Sequence, residues 1–185
     1  MTRAAVWRTP ERLYEAELRT APLDPVVNNN LAVEYGARGD HRRAVERLEV
    51  ALRTAPRYWR AHVNRALALH RLGDEKGALA ALASAKEIAP DEASPRRFAA
   101  GVLLELRDLP GALAELAAAE RLDPEDPRNA LAAGKLLIAM RRFAEARAEL
   151  RRAATLDPAD PEPARLLGLV AARLVERGDP DARTP

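Results

Sequence analysis

The chain of 185 residues contains no cysteine, which excludes disulfide bonds, thiolate metal sites and a thiol nucleophile. Serine occurs only at Ser84 and Ser94. The sequence also has no glycine-rich phosphate loop, no His-Glu-x-x-His motif and no Gly-x-Ser-x-Gly motif. We therefore predict that the chain is not an enzyme and that it has no catalytic residues, no metal and no cofactor.

Long apolar segments are absent as well. No stretch reaches the ~18 apolar residues that a membrane-spanning helix needs, and residues 1–10, MTRAAVWRTP, lack the apolar core of a secretion signal. The net charge is only +2, which gives little global attraction to nucleic acid or anionic lipid. We therefore expect a cytoplasmic protein with no membrane partner and no nucleic-acid partner.

Alanine, leucine and arginine dominate the composition, whereas aromatic residues amount to only 4%. Because these abundant residues favour helices and β-branched residues are few, we predict an all-α fold. The prolines do not conflict with this prediction, since five of them recur every 34 residues, at Pro22, Pro56, Pro90, Pro124 and Pro158.

Other positions repeat with the same period of 34 residues. These columns are Ala44, Ala78, Ala112 and Ala146; Leu48, Leu82, Leu116 and Leu150; Ala51, Ala85, Ala119 and Ala153; and the small residues Ala32, Ala66, Ala100, Gly134 and Gly168. Within one period, residues 29–40 and 41–56 both have apolar residues at helical spacing, which predicts a pair of helices. Each Leu-Asp-Pro-x-Asp-Pro stretch, at 122–127 and 156–161, then ends one helix and supplies an aspartate cap and a first-turn proline to the next.

This pattern resembles the tetratricopeptide repeat family, whose unit is a 34-residue helix pair. The resemblance is strongest at residues 25–58 and implies a right-handed α-solenoid of stacked antiparallel helix pairs. The second unit departs from the family pattern, because His62 stands at the usual tryptophan position and Arg65 at a usual leucine. In the third and fourth units, Arg107 and Arg141 replace the glycine of the turn between the helices.

The repeat period also predicts how a single solenoid domain is organised. Four repeats are expected at 25–58, 59–92, 93–126 and 127–160. Residues 1–24 are expected to contain a capping helix with Thr9 as its N-cap, residues 161–177 to form a second capping helix, and residues 178–185 to be a disordered tail.

In the family, the first helices of the pairs line a concave groove, and the resemblance therefore implies where a partner would bind. Arginines in such a groove can grip carboxylates, asparagines can bond to an extended peptide, and apolar residues can seat apolar side chains. We expect the groove to bind an extended or helical, acidic and partly apolar segment of a partner protein, as a scaffold or adaptor does. The predicted residues are Asn29, Asn30, Arg60, Val63, Asn64, Leu67, Arg71, Arg97, Phe98, Leu104, Arg128, Leu131, Lys135 and Arg165, with Val33 and Ala37 on the same face.

Other functions remain open at this point. One is a small secretion-type or assembly chaperone that shields a segment of a client. Another is single-stranded RNA binding through the groove arginines, although only Phe98 and His70 could stack on bases. A third is self-association through an end of the solenoid. The lysine and asparagine clamp by which some family members hold chaperone C-termini is not expected, because only Asn64 matches it.

Overall fold

The computed structural model describes residues 10–176, and the regular structure in that range is entirely α-helical, which confirms the predicted fold class. Thr9 and the tail from residue 178 lie outside the described residues. The helices are α1 (Pro10–Glu17), α2 (Pro25–Ala37), α3 (His41–Thr54), α4 (Trp59–Arg71), α5 (Glu75–Ile88), α6 (Ala93–Glu105), α7 (Leu109–Leu122), α8 (Pro127–Ala139), α9 (Phe143–Leu156) and α10 (Pro161–Glu176). None of these helices is both long and apolar enough to span a membrane.

Aspartates cap α2, α8 and α10 as the sequence predicts, whereas α4 and α6 begin after Tyr58 and Glu92 without a side-chain cap. The Asp24 carboxylate accepts hydrogen bonds from the backbone N–H groups of Val26 and Val27, at 2.8 and 2.9 Å. Asp126 and Asp160 cap α8 and α10 in the same way. A proline follows each of the three aspartates, where its fixed φ suits the first helical turn and its missing N–H is not needed.

The turn inside each helix pair needs a left-handed backbone residue. Gly39 and Gly73 adopt φ of 81°, and Arg107 and Arg141 adopt φ of 64° and 60° at the equivalent positions. A side chain in this region is strained because its Cβ crowds the following carbonyl oxygen. Arg107 and Arg141 therefore give the third and fourth repeats the same turn that glycine gives the first two, but at a cost in stability.

The chain divides into two compact units, Met1–Pro90 and Asp91–Pro185, at one of the prolines of the 34-residue column. The organisation into four repeats between two capping helices stays a prediction. Among the described residues, unit 1 contains α1–α5 and unit 2 contains α6–α10.

The repeated small and leucine columns form the core of each unit. Every residue of the two alanine columns and of the leucine column is at most 4% exposed. Small side chains let paired helices approach closely, and the leucines fill the remaining space. The column that contains Ala32 is buried through Gly134, whereas Gly168 on α10 is exposed.

Polar side chains, rather than aromatic ones, fix the start of several first helices to the preceding turn. The Asn28 amide donates to the Pro22 carbonyl at 3.0 Å, and the Asn129 amide donates to the Asp123 carbonyl at 2.8 Å. His62 Nε2 lies 2.8 Å from the Pro56 carbonyl oxygen, again six residues back. His62 therefore packs at the tryptophan position, as expected, but does so through a hydrogen bond.

Candidate functional site

A cavity of about 310 Å³ opens between the first helices α2 and α4 of unit 1, with α3 behind it. Its apolar part includes Val33, which is 48% exposed, and the half-buried Leu67, both predicted groove residues. Gly36 leaves room in this cavity, because a Cβ there would meet nothing within 4 Å. The remaining lining residues are Ala32, Ala37, His41, Ala44, Leu48, Asn64, Ala68 and Arg71.

The predicted groove asparagines bond to one another at the edge of this cavity. The Asn64 amide donates to Asn29 Oδ1 at 2.8 Å, and the Asn29 amide donates to Asn30 Oδ1 at 3.3 Å. Asn29 is only 5% exposed, so its main role is to hold Asn64 in place. Asn64 is half-buried and lines the cavity, where its side-chain oxygen can accept from a ligand.

Two other predicted residues of α4 have different environments. Arg60 is exposed, and its guanidinium lies 4.3 Å from the centre of the Trp59 ring. This stacking uses the face of the guanidinium and leaves its N–H edges available. Val63, in contrast, is 2% exposed. The expectation that Val63 offers an apolar contact to a partner is therefore wrong, because its side chain belongs to the interior.

In unit 2, Arg97 and Arg128 share the carboxylate of Asp126. Arg97 Nη1 lies 2.9 Å from Asp126 Oδ2, and Arg128 Nε lies 2.7 Å from Oδ1. Burial alone would raise the pKa of Asp126, but the hydrogen bonds from Arg128 and the charge of Arg97 outweigh it and lower the pKa. Burial lowers the pKa of Arg97, against the opposing charge of Asp126.

The two arginines therefore differ in what they can offer. The Arg97 side chain is 13% exposed, and its Nη1 also donates to Asn129 Oδ1 at 3.0 Å. The Arg128 side chain is 68% exposed, so its terminal nitrogens can reach a carboxylate from outside. Arg97 acts within the fold, and Arg128 is the candidate for contact with a partner.

Lys135 and Arg165 are both paired with Glu162. Arg165 donates to the two carboxylate oxygens at 2.8 and 2.9 Å, and Lys135 Nζ lies 3.3 Å from Oε1. The hydrogen bond from Arg165, assisted by Lys135, lowers the pKa of Glu162 to about 2. These pairs reduce the excess of positive charge that the residue list alone suggests for unit 2.

The apolar residues predicted in unit 2 are tied to its core. Leu104 and Leu131 are half-buried and pack against buried core residues. Phe98 is half-buried, with the Arg97 guanidinium 5.9 Å from the centre of its ring. These side chains can contribute edges to a binding surface, and none of them lines the cavity in unit 1.

The sequence did not predict Gly36 and His41 as site residues, nor the ion pairs of Asp126 with Arg97 and Arg128. Gly36 follows Val33 by three residues, so helical spacing could have placed it on the same face. Asp126 was predicted only as a helix cap, and the arginine two residues later was the available sign of an ion pair. Within residues 10–176, no group of three or more histidine, aspartate or glutamate side chains is placed to hold a metal ion.

The repeated helix pairs of 34 residues make this protein an α-solenoid. Two models of the tetratricopeptide repeat match the chain, one at residues 29–93 and the other at residues 103–170. The chain therefore belongs to the tetratricopeptide repeat family, whose fold is a scaffold for protein–protein interaction. No curated protein matches its sequence.

Solved structures share the fold over most of the chain. TTC0263, a thermophilic TPR protein of Thermus thermophilus, is 26% identical over 89% of each chain, with a TM-score of 0.78. Yeast Tom70 is 17% identical over 91% of this chain and 36% of its own, with a TM-score of 0.76. Pseudomonas aeruginosa PilF is 22% identical over 84% of this chain and 69% of its own, with a TM-score of 0.73. The two less similar proteins support the fold alone.

Proposed function

We propose that the chain is a scaffold or adaptor that binds a segment of a partner protein on the face formed by its first helices. A large aliphatic side chain of that segment occupies the cavity between α2 and α4. The observation that carries this proposal is the cavity itself, which is open, mostly apolar and about 310 Å³ in volume. Concave, mostly apolar sites with a few polar groups are the usual form of binding pockets.

The polar rim of the cavity suits the backbone of an extended segment. Asn64 is held by Asn29 and so is already oriented before a partner arrives. A preorganised donor and acceptor reduces the entropy lost on binding. A peptide group can donate to the Asn64 oxygen while its side chain enters between Val33 and Leu67.

The preference for acidic partners rests on fewer residues than the sequence suggests. Arg97, Arg128, Lys135 and Arg165 already have carboxylate partners within unit 2. In unit 1, which holds the cavity, Arg60 is exposed, and a planar guanidinium can bind a carboxylate through two N–H groups. An acidic residue in the bound segment is therefore expected to contact Arg60.

Single-stranded RNA is a weaker candidate because stacking surfaces are scarce. The His70 ring, one of the two candidates, is 9% exposed and lies 2.7 Å from a Glu75 carboxylate oxygen. Phe98 is half-buried beside Arg97. RNA binding through phosphate contacts would weaken steeply with salt, whereas binding led by an apolar side chain would not.

A peptide selection followed by a cavity-filling variant tests the proposal. Peptides selected from a random library on the wild-type chain should share a large aliphatic residue. Replacing Gly36 with leucine places a side chain in the cavity without a backbone clash. Because burying one large aliphatic side chain is worth about 1.5–3 kcal/mol, the variant should bind a selected peptide roughly 10- to 100-fold more weakly.

Gly168→Leu is the matched control, since Gly168 also lies in a first-type helix with open space around it but does not line the cavity. It should bind the peptide as the wild type does. Equal affinity of the wild type and Gly36→Leu would refute the cavity as the seat of the side chain. For the acidic preference, Arg60→Gln should weaken the binding of an acidic peptide more than that of the same peptide with its carboxylates converted to amides.

A further inference from the structure

A second cavity lies on the other side of unit 1, between α3 and α4. It is shallow, about 350 Å³ in volume, and is lined by Glu49, Leu52, Arg53, His62 and Arg65. It therefore brings together the two residues at which the second repeat departs from its family pattern. His62 and Arg65 are three residues apart on α4, so that both point to one side of the helix.

Arg65 brings a buried donor without a partner to this cavity. Its Nε is buried, and no hydrogen bond satisfies it within the described residues. A guanidinium can only donate, because it does not lose its proton in proteins. The site therefore needs an acceptor, and a negatively charged oxygen is the acceptor that best compensates a guanidinium.

His62 adds a second unsatisfied nitrogen. Its Nε2 lies 2.8 Å from the Pro56 carbonyl oxygen, which can only accept, so Nε2 carries a proton. Its Nδ1 is buried and has no partner among the described residues. Nδ1 can therefore accept from an O–H group.

The fourth repeat lacks these features at the same positions. Ala130 and Ala133 stand 68 residues, or two repeats, after His62 and Arg65. The fold therefore accepts small apolar side chains here and does not require polar ones. The cavity in unit 1 is also more basic than acidic, because Arg53 and Arg65 face the single carboxylate of Glu49.

We propose that this cavity binds a phosphate group, either as inorganic phosphate or on a phosphorylated side chain of a partner. With a second pKa of about 6, a phosphate monoester near neutral pH is mostly dianionic, and the fraction that keeps one proton offers both charged oxygens and an O–H group. Both nitrogens are buried, so a small rotation of the two side chains is needed to bring them to the ligand. A charged oxygen then accepts from Arg65 Nε, and the protonated oxygen donates to His62 Nδ1. Sulfate and carboxylate offer only the first of these bonds at neutral pH.

The test is NMR titration of the full chain at constant ionic strength, with signals of the Arg65 Nε–H and the His62 ring as reporters. Sodium phosphate should shift both sets of signals in a saturable way, and sodium sulfate should bind more weakly. A second titration with N-acetyl-O-phosphoserine amide distinguishes the sources. Tighter binding of the phosphoserine compound indicates a phosphorylated partner, and tighter binding of inorganic phosphate indicates a free anion.

Arg65→Leu restores the residue type usual in the family and should therefore fold. We expect its affinity for phosphate to fall at least tenfold, while its melting temperature without phosphate is unchanged or higher. Arg42→Met, an exposed arginine of α3 outside the cavity, is the matched control and should bind phosphate normally. Unchanged Arg65 signals in the wild type, or equal phosphate affinity in Arg65→Leu, would overturn the proposal.

Discussion

Replacing Gly134 with alanine should destabilise the chain, although the same replacement at Gly168 should stabilise it. Both glycines belong to the small-residue column, and both lie inside helices. A Cβ at Gly134 would come within 2.7 Å of Leu150 Cγ and Cδ2, whereas a Cβ at Gly168 would meet nothing within 4 Å. Leu150 is 0% exposed, so it has no free space into which to move.

The magnitude follows from two opposing effects. Alanine gains about 0.5–1 kcal/mol over glycine inside a helix, because glycine loses more backbone entropy. Overpacking a tight core costs about 1–3 kcal/mol. Gly134→Ala should therefore lower the free energy of unfolding by about 1 kcal/mol, and Gly168→Ala should raise it by about 0.5–1 kcal/mol.

Urea and thermal denaturation followed by circular dichroism measure both variants. For a chain of this size, 1 kcal/mol corresponds to about 2–4 °C in melting temperature. Opposite signs for the two glycines would support the reasoning. Equal stabilisation by both substitutions would refute the reasoning. It would mean that Leu150 moves aside without a cost in free energy, so that helix propensity alone determines the change in stability.

Further predictions at three sites concern charge and backbone strain. Asp126→Ala should cost about 3 kcal/mol in urea denaturation at pH 7, because it leaves the half-buried Arg97 unpaired. Since the pKa of Asp126 is lowered on folding, its contribution to the free energy of unfolding is present above about pH 4 and is lost as the pH falls further. Asp126→Asn should therefore lose less stability than the wild type on acidification. Carbon NMR should give Glu162 a pKa of about 2, rising in Arg165→Gln and in 1 M salt. Arg107→Gly should raise the melting temperature by relieving about 1 kcal/mol of left-handed strain, and a lower value would contradict the strain.

The fold was predictable because the same signals for helix caps, turns and buried positions recur in several repeats. A single Asp-Pro pair is weak, but the pairs at 24–25, 126–127 and 160–161 occur in phase with the buried columns. Caps, turns and core positions then agree with one another, which is the condition under which local patterns specify a fold. Even Arg107 and Arg141 adopt the turn conformation that the repeat requires of them.

The site was less predictable because it depends on which other side chain each polar residue bonds to in the folded chain. Arg97 and Asp126 are 29 residues apart, and their pairing depends on the distance between adjacent helix pairs. Helical spacing placed Val63 on the groove face, but burial depends on what packs over that face. The cavity between α2 and α4 arises from residues of three helices, and no short motif encodes it.

The division of the chain between Pro90 and Asp91 also separates its chromophores. Both tryptophans, Trp7 and Trp59, and all three tyrosines precede residue 91, whereas residues 91–185 contain only phenylalanine as an aromatic residue. Intrinsic fluorescence and absorbance at 280 nm therefore report on the first unit alone, and circular dichroism reports on the helices of both. Comparing the two signals during one denaturation, without any label, measures how cooperatively the two halves unfold.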